Sequence, residues 1–386
     1  VLFIDARKLA DFGIGTYVRN LIAALARLDS ENRYILFCGR DTPSSLPENF
    51  RIVTEKAPVY SVREQFALSW KLFRLKLDVY HATHYVLPAF VPCRAVVTIH
   101  DIIHLLFPEF LPNRLAYLYA QGMIRGSLAR GARIIAVSHN TKSDLMETFR
   151  VSGRKIRVIY SGVEDVFRTP LAPAALQRSL AELGLARPYV LFVGNPKPHK
   201  NVPNVLRAYA LAVRDLANPP ALVCVGARGE QEFKLRQLAL QLGLGDRLLL
   251  LGHLPQETLP AVYQGATLFL YPTLYEGFGL PVLEAMASGT PVVTSNNSAL
   301  REIAEGYADL VAPLDVEQMA EAIRHCLSDP DHRAALAERG RLRAQDFRWE
   351  RAADRTLAVY KSAIRSRLPM ATDTSSRGTG GWTKEA

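Results

Sequence analysis

Two doubly wound α/β domains are the fold class this sequence predicts, and three observations predict it. At 386 residues the chain is long enough for two or three domains with sizeable cores. Short β-branched runs alternate with amphipathic helical stretches, the pattern of βαβ crossovers and a parallel sheet. The alternation halts in a Pro- and Ala-rich span reaching Pro188 and then restarts, so two sheets joined near 160–187 is the economical reading. The composition agrees: 49% apolar residues, 22% charged and 23 prolines spread along the chain exclude wholesale disorder, collagen and coiled coil.

Taken in order, strands are expected at 1–5, 34–37, 79–81, 95–99 and 134–137, with helices at 15–28, 115–128 and 140–149. The second series places strands at 189–193, 221–225, 247–251, 268–271, 291–294 and 309–311, each followed by a helix-like segment. The C-terminal part is more helical, at 316–327, 332–345 and 350–364. No short-period repeat is present. Residues 367–386, rich in Ser, Thr and Gly, have almost nothing to bury and read as a disordered tail.

No stretch reaches the ~18 uninterrupted apolar residues of a membrane-spanning helix. The opening Val1-Leu2-Phe3-Ile4-Asp5 lacks the cationic flank and cleavage site of a secretory signal. Cys38, Cys93, Cys224 and Cys326 lie far apart with no Cys-x-x-Cys pair, which argues against a zinc knuckle and a disulfide framework. A reducing, cytoplasmic setting is the expectation. Residues 1–165 hold 22 Lys/Arg against 15 Asp/Glu, so most of the formal net charge of +10 falls there. Phosphate-bearing partners on that side, or a plain solvated basic surface, both account for it.

In open α/β sheets ligands bind beyond the carboxyl ends of the strands, so chemistry is sought in the strand-to-helix turns. The strongest runs from Tyr271 through Glu276-Gly277-Phe278-Gly279-Leu280-Pro281 to Glu284. Its glycines let backbone approach a ligand closely, and Pro281 suits a first helical turn whose N–H groups attract an anion such as phosphate. Glu276 and Glu284 would bracket a polyhydroxylated ligand and accept its hydrogen bonds; a surface cap and a satisfied buried acid are the bland readings. In the second turn, Gly194-Asn195-Pro196-Lys197-Pro198-His199-Lys200-Asn201, Lys200 would neutralise a phosphate near a helix that Asn201 is available to cap. The third, Asp11-Phe12-Gly13-Ile14-Gly15-Thr16, is an incomplete dinucleotide fingerprint because Val18 stands where the third glycine belongs. Gly13 and Gly15 remain a loop that admits a phosphate or an acceptor. The fourth, Thr98-Ile99-His100-Asp101-Ile102-Ile103-His104, has Asp in place of the Glu of a zinc helix and starts at a strand end, so no metal is assigned; His81 and His84 are read the same way. His100 would instead hydrogen-bond a sugar in the cleft.

The Glu-x7-Glu spacing of Glu276 and Glu284, with Gly-Phe-Gly-Leu-Pro between them, resembles the signature of family 4 (group 1) retaining glycosyltransferases. Pro198-His199-Lys200-Asn201, the segment 158–163, Val137-Ser138-His139-Asn140-Thr141-Lys142 and Phe347-Arg348-Trp349-Glu350 are similar to that family in the same order, so the resemblance covers about 1–366. It implies the GT-B fold: two Rossmann-like domains facing each other across a cleft. The first, 1–165, would hold the acceptor and receive a return helix at 350–366; the second, 185–347, would hold a nucleotide-diphosphate sugar. It further implies that Glu276 contacts donor-sugar hydroxyls, Glu284 the ribose, the Gly277–Leu280 backbone the sugar and phosphates, Lys200 the diphosphate and His100 the sugar. Gly13 and Gly15 would border the diphosphate and acceptor. Relatives commonly carry an arginine where this chain has Asn195, which leaves Lys197 as the second cation.

The implied activity is retaining, metal-independent transfer of a hexose to a saccharide or lipid-linked acceptor, in the assembly of a cell-surface polysaccharide. Lys200 and helix-start dipoles would do the work of a cation, and Asp101 is the candidate helper base. GDP-mannose is the first expectation for the donor and UDP-glucose the second; no cofactor, metal or nucleic acid is expected. The span 62–77 interleaves Arg63, Lys71, Arg74 and Lys76 with apolar residues, as a helix on an anionic membrane surface would. That places the protein, if not free in the cytoplasm, peripherally on the inner face of the membrane. Two other classes stay open here: a non-catalytic sugar-nucleotide or glycan-binding module on the same scaffold, and an NAD(P)-dependent oxidoreductase.

Overall fold

The structure, a computed structural model, describes residues 1–365 apart from 12, 44, 55–71, 89 and 112; most of the basic segment 62–77 and all of 367–386 lie outside the described residues. Two parallel sheets organise the chain. The first has the order β3-β2-β1-β4-β5-β6-β7, with β1 Leu2–Asp5, β2 Tyr34–Cys38, β3 Phe50–Thr54, β4 Val79–Ala82, β5 Arg94–Ile99, β6 Arg133–Ala136 and β7 Ile156–Val158. The second has the order β10-β9-β8-β11-β12-β13, with β8 Tyr189–Val193, β9 Ala221–Val225, β10 Leu248–Leu251, β11 Leu268–Tyr271, β12 Val292–Ser295 and β13 Asp309–Val311. Central strands such as β1 and β11 are buried at every position, which is why they read as continuous apolar runs rather than as alternation.

In both sheets the strand order reverses beside the first strand. Loops after β1 and β4, and after β8 and β11, therefore part toward opposite faces and leave a crevice at the carboxyl ends. Strands β3 and β7, which the sequence pattern does not announce, finish the first sheet; both are short, partly exposed and interrupted by an arginine, Arg51 or Arg157.

The second sheet has one continuous core, which draws in Phe167 and Leu180 ahead of β8. The first sheet has a core on each face. One of these is completed by the last helix, Trp349–Arg365, whose Trp349, Ala352, Ala353, Val359, Tyr360 and Ala363 pack with the helix Ile14–Leu28 and with Val96 and Ile135. His81 locks that helix to the sheet: Nδ1 lies 2.7 Å from Tyr360 Oη and Nε2 lies 2.8 Å from Thr98 Oγ1. Burial pushes its pKa down to about 3, so it is a neutral core residue. The two chain crossings between the halves touch, with the Val163 amide donating to Phe347 O at 3.1 Å. A Cβ on Gly162 would lie 2.3 Å from Trp349 N, so only glycine admits this approach.

Candidate active site

The loops after β8 and β11 meet at the crevice of the second sheet. The 3₁₀ turn Pro198–Lys200 carries Lys200, and Glu276 stands five residues after the end of β11. Lys200 Nζ donates to Glu276 Oε1 at 2.5 Å and to Tyr271 Oη at 2.7 Å; Tyr271 Oη donates to the same Oε1 at 3.0 Å. The Lys200 and Glu276 side chains are 17% and 14% exposed, wet enough to meet a ligand and dry enough for charge to act strongly. The Leu274 amide donates to His199 O at 2.8 Å, and the Glu276 amide to Ser298 Oγ at 3.2 Å, which fixes both loops.

Asn201 sits at the position expected to cap the following helix, Val202–Ala212, but its side chain does not cap it. The backbone there is left-handed, at φ 59°, and Nδ2 donates instead to Pro272 O at 2.9 Å and Pro313 O at 2.5 Å. Asn201 therefore ties the Lys200 loop to the Glu276 loop.

The helix Leu280–Ala287 begins directly after the second glycine, with Pro281 in its first turn. In its first turn Pro281 has no N–H and the Val282 amide donates to Gly279 O at 3.1 Å, which leaves the Leu280 amide, beside those of the glycine loop, as the donor this start offers toward the crevice. Gly279, at φ 110°, takes a conformation L side chains avoid, and a Cβ there would lie 2.5 Å from Leu300 Cδ2. The Phe278 ring points away, packed 6.1 Å from Tyr160 and 6.0 Å from Phe347, so only its backbone can face a ligand. Glu284 follows in the helix and accepts from Tyr263 Oη at 2.9 Å. Burial pushes its pKa up to about 7, Glu164 adds to the rise and the Tyr263 hydrogen bond opposes it. Gln256 Nε2 donates to Glu164 Oε1, and Arg19 of the first half donates to Gln256 Oε1 at 3.2 Å, so a polar chain crosses between the halves here.

The first half supplies the opposing wall. Gly13, at φ 54°, precedes the helix Ile14–Leu28, and Gly15 packs so closely that a Cβ would lie 2.5 Å from Leu9 O. His100 Nε2 donates to Thr83 O at 2.9 Å, because a carbonyl only accepts; the ring stands edge-on to Tyr17 at 4.8 Å. Burial lowers its pKa, so the neutral ring presents Nδ1 as an acceptor. One Asp101 oxygen accepts from the Ile103 amide at 3.1 Å. Gly277 abuts this wall: a Cβ on it would lie 2.0 Å from His100 O. Thr141 Oγ1 lies 3.2 Å from both His100 O and Gly277 O.

A second clasp joins the halves. Glu302 accepts from the amides of His139 at 2.9 Å and Asn140 at 3.1 Å, capping the helix His139–Phe149 from across the interface, and from Tyr160 Oη at 2.5 Å. Tyr275 Oη donates to Asp144 at 2.5 Å beside it.

Lys200 and Glu276 are thus brought together, and Gly277 meets His100 and Asp101. Asn195 and Lys197 are exposed on the loop before Lys200, joined by a 2.7 Å backbone hydrogen bond. Sequence reasoning did not single out Tyr263, Gln256, Glu302 or the Tyr271 hydroxyl. An Asp-x-Asp tripeptide, Asp329-Pro330-Asp331, also occurs; it opens the helix Pro330–Ala344, where Asp329 caps the His332 amide at 2.9 Å.

Residues 179–343 match the family model of group 1 glycosyl transferases, and residues 13–167 match that of glycosyltransferase family 4. The chain is 32% identical to the O-antigen chain mannosyltransferase B of Escherichia coli, over 90% of this chain and 96% of that one. It is 28% identical to the O-antigen chain mannosyltransferase RfbU of Salmonella typhimurium, over 64% and 65%. Among solved structures, sucrose-phosphate synthase from Thermosynechococcus elongatus superposes with a TM-score of 0.76 at 24% identity, covering 94% of this chain and 98% of that one. Anabaena HepE, in complex with UDP and glucose, gives 0.76 at 19%, covering 94% and 99%. With two parallel-sheet domains, both family models and a near full-length relative in agreement, the chain belongs to glycosyltransferase family 4 and has the GT-B fold.

Proposed function

We propose that the protein transfers mannose, with retention, from GDP-mannose to a hydroxyl of a saccharide or lipid-linked acceptor during O-antigen-like polysaccharide assembly. The observation that carries a donor site is the Lys200–Glu276–Tyr271 cluster beside a glycine-lined helix start at the strand-order reversal. The choice of mannose rests on the two O-antigen mannosyltransferases it resembles.

In the reaction the bond from the anomeric carbon to the diphosphate oxygen breaks, and negative charge gathers on the leaving phosphate. Lys200 turns from Glu276 to that phosphate, while the amides around Gly279 and Leu280 hold its other oxygens. Glu276, released, accepts sugar hydroxyls. The acceptor hydroxyl attacks from the face the phosphate leaves, and its proton passes to the departing phosphate oxygen. His100, through Nδ1, accepts a hydroxyl of the sugar from the opposite wall. Glu284 and Tyr263 hold the ribose.

Nucleotide release from a panel of donors, with Glu276→Ala as control, tests this. GDP-mannose is expected to turn over best and UDP-glucose next; no release above that control from any donor would overturn the reading. Because Lys200 and backbone dipoles meet the phosphate charge, full activity is expected in excess EDTA. Activity restored only by manganese would refute that. The raised Glu284 pKa adds a pH signature. Above about 7 the carboxylate accepts two hydroxyls; below it, protonation removes acceptor capacity. The donor KM is expected to rise about tenfold between pH 8 and pH 6, and Glu284→Gln to flatten that profile.

The membrane setting has support in the helix Arg114–Arg130, which exposes Leu115 by 76% and Leu118 by 58% on one face. No helix among the described residues is long and apolar enough to cross a membrane. Attachment at the surface, where a lipid-linked acceptor resides, fits both observations.

A further inference from the structure

A groove lies on the edge and the starting end of the first sheet, away from the crevice. Arg133 opens β6, whereas His100 and Asp101 follow the far end of the neighbouring strand β5. Two adjoining cavities, about 390 and 280 Å³, share Arg133, Ala358 and Ser362. Their charged lining is Arg133, Arg157, Arg355, Lys361 and Arg365, with no carboxylate. A third cavity of about 300 Å³ continues from Arg355 to Arg348 and Arg351; its one acid, Asp346, is paired with Arg343 at 3.1 Å.

The pattern departs from what the sheet would favour on its own. Arg157 is the register partner of Ile135 and Arg133 of Val96, so both arginines occupy the face that the last helix covers, where their neighbours are core residues. Arg133 is held in place by hydrogen bonds from Nε to Ser362 Oγ at 3.1 Å and from Nη1 to Ala132 O at 2.9 Å. Some surface arginines elsewhere have carboxylate partners, as Arg236, Arg301 and Arg324 do, and others, such as Arg207 and Arg228, bond only to neutral oxygens; the groove differs in gathering several cations around one lining without an acid. Among the described residues, none of the five groove cations has an ion-pair partner. The acids nearest on the helix are Glu350, which pairs with Arg27 at 2.6 Å, and Asp354, which pairs with none of the five. Five cations from three elements repel one another unless an anion sits among them. By sequence, 366–386 is itself net positive, with Arg367, Arg377 and Lys384 against Asp373 and Glu385.

We propose that this groove binds a phosphate-bearing anion of at least two charges, separately from the donor crevice. Guanidinium groups match phosphate oxygens in bidentate fashion, and the Val158, Ile159 and Val359 floor takes the apolar part of an organic phosphate. A soluble phosphate compound and an anionic lipid headgroup share this chemistry.

Titration calorimetry with inorganic pyrophosphate, on wild type and on Arg355→Glu/Arg365→Glu, tests the site. The reversal is expected to weaken one binding event at least tenfold while Lys200→Ala leaves that event intact. Arg157→Glu, on the exposed edge strand, is the second variant should the double one fold poorly. Sedimentation with phosphatidylglycerol vesicles tells the sources apart. Capture lost in the variants and displaced by pyrophosphate identifies a headgroup, and pyrophosphate binding without vesicle capture identifies a soluble ligand. Equal pyrophosphate binding by wild type and both variants, or none by wild type, overturns the proposal.

Discussion

Replacing Lys200 by alanine is expected to lower kcat by about 10²–10³-fold, the cost of removing one well-placed donor to developing charge. The side chain stands at the strand-order reversal, where phosphate would arrive, and in the absence of a ligand its charge is neutralised by Glu276 at 2.5 Å. Donor binding exchanges one anion for another around the same cation, so the ground state gains little and KM changes less than kcat. The transition state gains more, because charge on the leaving phosphate grows as the bond breaks. Stability should fall as well, because the pair is largely buried and the variant leaves Glu276 with the Tyr271 hydroxyl but no cation. Lys200→Arg should recover little, since the planar fork does not replace a point charge seated against Tyr271 Oη at 2.7 Å. Steady-state kinetics with a melting curve decide it. A kcat within threefold of wild type removes Lys200 from the chemistry.

How much of this was legible in the sequence depended on whether a residue's role is local. Glu276, Gly277, Gly279 and Glu284 lie in one strand–turn–helix unit, and the backbone consequences of glycine and of Pro281 are short-range, so the loop that we propose binds the donor could be read directly. The central strands were equally plain because burial on both faces leaves unbroken apolar runs. Tyr271 was not: as the last residue of a buried strand it looks like any core aromatic, and its hydroxyl matters only once β8 and β11 become neighbours, bringing Lys200 to it. Glu302 caps a helix more than 150 residues earlier in the chain, which no spacing rule reveals. Asn201 carried a true local signal, an Asn at a helix start, yet tertiary acceptors at Pro272 and Pro313 outcompeted the cap. Strand β7 was hidden by being three residues long, with Arg157 at a position where a core strand would be apolar.

Gly277→Ala should reduce kcat/KM at least about 10²-fold, the penalty for displacing reacting groups by an ångström, while leaving both domains folded. Gly277 does not need glycine for its own backbone, since its φ lies outside the left-handed region, unlike Gly279 at 110°. Alanine is therefore tolerated within the second domain. The clash is wholly with the first: the new methyl would lie 2.0 Å from His100 O and 2.8 Å from Asp101 Cβ, against a carbon–oxygen contact of roughly 3.3 Å even for close approaches. The halves must part by more than an ångström, which draws His100 Nδ1 away from a sugar held at Glu276 and stretches the Thr141 bridge of 3.2 Å to each side. Separation leaves most of the core of each sheet untouched, the first half contributing, among the described residues, only Val137 and Val163 to the buried residues of the second core, so the melting temperature should fall by only a few degrees while solution scattering reports a more open particle. Gly279→Ala offers the contrast, because strain and a 2.5 Å contact with Leu300 arise inside one domain and should cost stability first. Unaltered turnover by Gly277→Ala would mean that the His100–Gly277 contact does not persist in the reacting state, and that the sugar is held by the second domain alone.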